Sequence, residues 1–471
     1  MKKIIAALLI LSTLLLSACA TKSQNDTQVS DTSEAIKGAV LNGKDISEYT
    51  IVYDEGGTDY AKRAAKYIQS EILERTGHSL DVATDEDTTK DSEIVVGETS
   101  RAISEKLDKK TEGTDFALLA DSGSIALEGE FFVIAAAAYF FVETYITGTD
   151  FRSDVPTEAT VFEPIVEKAN NHIVLIGDGM GLYQTKLFDV YDQNALSQNY
   201  SDGEDIFYGY MLPYLSYSRT DSLSGTTDSA AGGTALSSGY KTNNGYVGQN
   251  KKHKTVTSLT ELAAQLGKST AVMSTEASGG ATPASFSAHA NNRDKTEEIL
   301  KDQEELKQSC GTIIECDYDL YDNEGVHEIQ EKVTSTLNTL SKNDKGFFMM
   351  YEEAHIDKHC HSNDMRQTFR ALVRFNQVIG IVMEYAFYNP DTFVLITADH
   401  ETGKLLPDNN GNFAYGSGDH SSADVPVFVY GDGAKLFNDL TIENTQIPKT
   451  IANFWGVSDF GDKNDGFKPL K

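Results

Sequence analysis

Ser229 stands in Thr226-Thr227-Asp228-Ser229-Ala230-Ala231-Gly232-Gly233, which opens a small-residue helix pattern with Asp228 placed as N-cap. A hydroxyl there meets free backbone N–H groups and the positive end of the helix dipole, which favour an alkoxide and a bound phosphate. Alone, Asp-Ser-Ala-Ala is an ordinary helix start. Three apolar runs elsewhere end in acids: 173–176 before Gly177-Asp178-Gly179, 346–351 before Glu352-Glu353, and 393–397 before Ala398-Asp399-His400. In open α/β sheets, ligands bind beyond the carboxyl ends of the strands. Asp178, Glu352, Asp399 and His400 then converge although far apart in sequence. Converging buried carboxylates repel one another unless cations sit between them. A capping or turn role fits any one of these residues; metal chemistry fits them together. Asp357 and His361 are four apart, which puts a carboxylate and an imidazole on one helix face, ready to share an ion. His355 and His359 point elsewhere and read as surface histidines. His420, just before the apolar run 425–430, joins this company as a candidate ligand.

The elements that must position these residues follow from periodicity. From His172 onward, apolar strand-like runs alternate with helical segments, so residues 171–471 are expected to form an α/β domain with a largely parallel sheet. Residues 38–165 read as a smaller α/β accessory unit, with the polar stretch 166–171 as a joint. Strands are expected at 49–53 and 92–96, and a hairpin at 116–119 and 124–127 around Asp121-Ser122-Gly123. Helical spacing (Ala61, Ala64, Ile68, Ile72, Leu73) predicts a helix over 59–76, capped by Gly77. A second, Ala-rich helix is expected over 131–145. This unit holds one histidine, His78, and no cluster of ligands.

Composition bounds the possible functions. The chain has 471 residues and a formal net charge of −31. So acidic a chain is a poor general nucleic-acid binder, and any phosphate must be held locally by metal ions, arginine or helix ends. A mean hydropathy of −0.34 excludes a polytopic membrane protein. The first residues break the pattern: Lys2 and Lys3 precede an apolar run, as in a secretory signal. Leu16-Ser17-Ala18-Cys19 resembles a bacterial lipobox, which implies a signal peptide over 1–18, lipidation of Cys19, and anchoring on the outer side of the cell membrane. Residues 19–37 then form a polar tether. Cys310 and Cys316 are close enough for a small disulfide loop or stand as two reduced thiols. Nothing assigns Cys360 a role.

The constellation resembles the alkaline phosphatase family across residues 172–471. The matching stretches are 177–181, 227–248, 281–293, 352–361, 397–403 and 418–431, in order and in internal spacing. The resemblance implies a phosphate monoester hydrolase with a phosphoserine intermediate, two Zn2+ ions and a third metal, usually Mg2+. By position it makes Asp357, His361 and His420 ligands of the first zinc, and Asp178, Asp399 and His400 ligands of the second, beside the nucleophile Ser229. Asp178, Thr282 and Glu352 become ligands of the third metal. Arg293 becomes the phosphate clamp, oriented by Asp228, and Lys358 matches a lysine that some members place near the phosphate. There are departures. Gly280 stands where some members carry an acidic residue or histidine near the third metal. Only 19 residues separate His400 from His420, so the insertion that caps dimers in some members is missing. Residues 38–165 are similar to the non-catalytic α/β domain of α-glucuronidases and β-hexosaminidases, in the phrases at 42–49 and 93–99. Rival readings are a phosphodiesterase, a dedicated sugar-phosphate or teichoic-acid phosphatase, and a non-enzymatic glycan-binding surface lipoprotein. No Cys-x-Pro-x-Arg motif supports a sulfatase.

Overall fold

Two main sheets carry the chain, beside one three-stranded and two two-stranded sheets among the described residues. The larger has eight strands in the order Ile313–Glu315, Ser269–Ser274, Phe347–Glu353, Asn171–Gly177, Thr392–Thr397, Val425–Tyr430, Tyr214–Arg219, Thr441–Glu443. Only Val425–Tyr430 runs against the others. The three central strands are buried at every residue, as expected where helices cover both faces of a parallel sheet. In this computed structural model the described residues are 38–107, 111–190, 206–317, 323–408 and 411–471. The expected signal, Cys19 and the tether lie outside them. Among the described residues no helix is long and apolar enough to cross a membrane.

The smaller sheet has six strands, in the order Val82–Thr84, Thr50–Tyr53, Glu93–Val96, Ser124–Glu128, Phe116–Asp121, Thr160–Phe162. Helix Asp59–Thr76 buries Ala61, Ala64, Ala65, Ile68 and Ile72, and ends where Gly77 turns left-handed at φ 80°. Ser122 and Gly123 both have positive φ, the requirement of a tight two-residue hairpin. The second helix is shorter than its sequence pattern: Phe131 sits at φ 50°, which no α-helix accommodates, so Phe131–Val133 forms a 3-10 turn and the α-helix is Ile134–Tyr145.

Residues Gly38–Lys471 form one compact unit; one apolar cluster takes in residues of both sheets, and the other face of the larger sheet has a cluster of its own. Helix Met365–Tyr388 joins them. On one side Phe387 packs against Phe132 with ring centroids 5.9 Å apart, Tyr388 against Tyr67 at 4.3 Å, and Glu384 pairs with Arg63 at 2.9 Å. On the other, Phe375 stacks on Tyr351 of the central strand, and Arg374 reaches Glu353. Gly380 permits the contact, because a Cβ there would strike the Tyr60 hydroxyl. The polar stretch after 166 is tied down: the Asn170 and Asn171 N–H groups donate to the Asp391 carbonyl at 2.9 and 3.0 Å.

Candidate active site

Strand register brings the acids together. Ile176 lies opposite both Glu352 and Thr397, and Ser274 opposite Glu352. Asp178, Glu352 and the Asp399-His400 pair therefore leave the same edge of one sheet within a residue or two of each other. Helix His355–His361 follows directly and carries Asp357 and His361 one turn apart. His420 arrives from the short strand His420–Ser421, which pairs with Glu401–Thr402 just after His400.

Two clusters result, Asp357 with His361 and His420, and Asp178 with Asp399 and His400; in each, one ligand atom per residue lies within 4.8 Å of the others. In the first, His361 Nδ1 donates to the Gly418 carbonyl at 2.6 Å, and His420 Nδ1 to the Thr227 carbonyl at 2.8 Å. Carbonyls only accept, so both rings are fixed with Nε2 facing inward. Those Nε2 atoms lie 3.1 Å apart, and 3.3 and 3.6 Å from the oxygens of Asp357. Two facing lone pairs call for a cation between them. The hydrogen bond to Asp357 raises His361 to about 9. In the second cluster His400 Nε2 is 3.4 Å from Asp178 Oδ1 and 3.3 Å from Asp399 Oδ2. Its Nδ1 faces Thr402 Oγ1 at 3.2 Å, and that hydroxyl also bonds Asp357. The His400 and His420 rings stack 3.7 Å apart, so the clusters adjoin.

The electrostatics fit cations. Burial, then the charge of Asp399, raises Asp178 well above the carboxylate range. Burial, then Asp357, raises Asp399 to about 7, and burial, then Glu276, raises Glu352 to about 8. Burial, then His420, lowers His400 to about 3, which keeps it neutral and able to donate a lone pair. Burial opposes ionisation of Asp357 too, but the His361 hydrogen bond and the nearby imidazoles hold it below its usual range. Asp178 Oδ1, Asp399 Oδ2, Glu352 Oε1 and Thr282 Oγ1 are buried and make no hydrogen bond of good geometry. Mixed imidazole and carboxylate donors in the two clusters suit zinc. The all-oxygen set of Asp178, Thr282 and Glu352 suits a hard ion such as magnesium.

Ser229 opens helix Ser229–Ser238, with Asp228 as N-cap accepting from the Ala231 N–H at 3.0 Å. Ser229 Oγ lies 3.3 Å from His400 Nε2. The second Asp228 oxygen accepts from the Gly245 N–H at 2.9 Å and holds Arg293 Nη1 at 3.4 Å. Arg293 is itself fixed by its N–H to the Gly245 carbonyl. Lys358 is exposed and pairs with Glu276 at 3.5 Å. The surface reading of His355 is corrected: it is buried, beside Thr275, Glu353 and the buried Arg374, because its helix begins inside the protein. His359 is half-buried. Cys310 and Cys316 are free thiols, and Cys360 is buried against Gln184, Thr368 and Tyr415. Sequence reasoning missed Thr402, Glu276 and Arg374. Glu276 follows the strand Ser269–Ser274, so the strand-end rule that singled out Asp178 also points to it. Arg374 lies within a long helix pattern and gave no signal.

A mostly parallel α/β sheet whose strand ends gather two carboxylate–imidazole clusters around a helix-capped serine defines the class. A profile of the family described as alkaline phosphatase matches residues 169–320 and 316–410. The chain belongs to the alkaline phosphatase family. It is 28% identical over 295 residues to alkaline phosphatase 4 of Bacillus subtilis, covering 51% of this chain and 63% of that one. It is likewise 28% identical over 315 residues to the alkaline phosphatase of Schizosaccharomyces pombe, covering 51% and 57%. The chain thus spans about six-tenths of the length of these curated relatives. The structure of alkaline phosphatase from the Antarctic bacterium TAB5 is 25% identical and superposes with a TM-score of 0.52, over 62% of this chain and 99% of that one. A histidine-to-glutamate mutant of that enzyme has been solved with Mg bound in its M3 site.

Proposed function

We propose that the protein hydrolyses phosphate monoesters with Ser229 as nucleophile. The observation that carries this is the position of Ser229 Oγ, 3.3 Å from His400 at the seam of the two clusters, with Arg293 held nearby by Asp228. Bound zinc and magnesium would supply Lewis-acid stabilisation of the reacting oxygens and easier ionisation of serine and water. Asp357, His361 and His420 would hold the first zinc, Asp178, Asp399 and His400 the second, and Asp178, Thr282 and Glu352 the magnesium. Ser229 Oγ bonds to phosphorus as the bond to the alcohol oxygen breaks, and the proton lost by the serine ends on the departing alcohol. Water then attacks the phosphoserine, Ser229 regains a proton, and inorganic phosphate leaves. Arg293 grips two non-bridging oxygens with its planar fork. A diester would place an alkyl group where that fork expects charge.

The export signal and the lipid anchor at Cys19 belong to the same reading and rest on the residues around Leu16-Ser17-Ala18-Cys19. The reading gives residues 38–165 a packing role, supported by the apolar core they share with helix Met365–Tyr388. The test is hydrolysis of p-nitrophenyl phosphate and of its bis-ester by protein starting after Cys19, with zinc and magnesium and again after chelation. Metal-dependent cleavage of the monoester alone is expected. Preference for the bis-ester would overturn the role of Arg293.

A further inference from the structure

Gly280 lies beside the all-oxygen cluster, and its missing side chain has a replacement. A Cβ at Gly280 would lie 2.7 Å from Cδ and 2.8 Å from Cγ of Glu276, closer than real atoms come. Residue 280 can therefore carry no side chain while Glu276 occupies this place. The Glu276 side chain is three-quarters buried, and its backbone is held from two sides: its N–H donates to Ser274 Oγ at 2.9 Å, and its carbonyl accepts from the Asp317 N–H at 2.7 Å. Ser274 Oγ in turn bonds Glu352 Oε2, while Glu352 Oε1, like Thr282 Oγ1 and Asp178 Oδ1, is buried and makes no hydrogen bond of good geometry. Glu276 and Glu352 thus meet at one hydroxyl, that of Ser274, which brings an additional acidic residue beside this cluster. Lys358, exposed and 3.5 Å away, balances Glu276 from the solvent side. An acid held in place against other acids is stable where a cation joins them.

We propose that Glu276 is a working member of the third cation site, supplying from the loop after Ser269–Ser274 the carboxylate that position 280 lacks, and tying Lys358 to the water shell of a magnesium ion. This rests on the reading of Asp178, Thr282 and Glu352 as a magnesium site. Magnesium keeps several waters in its octahedron, so a carboxylate that accepts hydrogen bonds from those waters contributes even without direct ligation. Glu276 is then a positioning residue, and glycine at 280 is the condition for its entry.

The experiment is calorimetric titration of Mg2+ into the zinc-loaded protein, with zinc content measured in the same samples. Wild type should take up one Mg2+ per chain. Glu276→Gln, which keeps the shape and removes the charge, should keep its zinc and bind Mg2+ about 10–100-fold more weakly. The double variant Glu276→Ala with Gly280→Asp should recover most of that loss by returning a carboxylate through the vacated space. Wild-type Mg2+ affinity in Glu276→Gln would overturn the proposal and leave the magnesium site standing. A double variant that folds but binds as weakly as Glu276→Gln would refute the exchange between positions 276 and 280. A wild-type protein that takes up no Mg2+ would remove the magnesium site itself, and the proposal with it.

Discussion

The two sheets solve the burial of polar groups in opposite ways. Around the six-stranded sheet, the buried Glu93 is paired with Arg101 at 2.9 Å, and Arg101 also donates to the carbonyls of Asp85 and Asp87. Among the described residues before Asn171, no buried side-chain nitrogen or oxygen lacks a hydrogen-bond partner. At the strand ends of the eight-stranded sheet, Asp178, Glu352 and Asp399 each keep one without such a bond of good geometry, as does Thr282 in helix Ala281–Ser287. A buried acceptor without a partner costs about 1–3 kcal/mol, more when charged, so such a group persists where something else binds it. The same contrast recurs between neighbouring residues. Glu353 is gripped by Arg374 through two hydrogen bonds, and against its burial this lowers it to about 2; Glu352, one residue earlier, is raised to about 8. Glu353 has its cation built into the fold, whereas Glu352 accepts from a neutral hydroxyl, that of Ser274.

The sharpest break in this comparison is Ser229→Ala. Activity on the monoester should fall by roughly 10⁴-fold or more, while zinc content and melting temperature stay near wild type, because the serine is surrounded by the clusters and does not hold them together. A fall of less than tenfold would remove Ser229 from the chemistry.

Next come the two built-in cations. Arg374→Met and Arg101→Met each strand a buried carboxylate, and each should cost about 3–5 kcal/mol in urea unfolding. Only Arg374→Met should also weaken zinc binding, since Glu353 leads into the helix that carries Asp357 and His361. Equal effects on zinc would erase the distinction between the sheets.

The last effect, absent at neutral pH, concerns the opposite end of strand Asn171–Gly177. His172 is fully buried, accepts from Trp455 Nε1 at 3.1 Å, and is lowered to about 3 by burial and then by Lys268. It stays neutral in the folded chain, while the unfolded chain protonates it below about 6.5. Its contribution to stability is complete above that pH and is lost as pH falls from about 6.5 to about 3. His172→Phe should flatten the stability profile in that window by one proton, about 1.4 kcal/mol per pH unit. An unchanged slope would show that His172 titrates normally.

Much of this arrangement was legible in the sequence, for local reasons. The helix Asp59–Thr76 with its Gly77 cap, the Ser122-Gly123 turn and the Asp228 cap each depend on a few adjacent residues with one favoured backbone state. Asp178, Glu352 and Asp399 were findable because a parallel sheet presents its strand ends on one side. What was hidden depended on contacts remote in sequence. His355 is buried because Arg374 and Thr275 close over it, and Glu276 enters because residue 280 has no side chain. The shared core around helix Met365–Tyr388 was equally out of reach, since the pattern 365–388 does not say that the larger sheet packs on one side of it and helices of the smaller unit on the other.

The most direct test of the account is a search for phosphate on the enzyme. Zinc- and magnesium-loaded protein would be mixed with a phosphate monoester, quenched in acid and mapped by peptide mass spectrometry. The account predicts one phosphoryl group on the peptide containing Ser229, absent after chelation and absent in Ser229→Ala. Steady turnover with the label on another residue would contradict it.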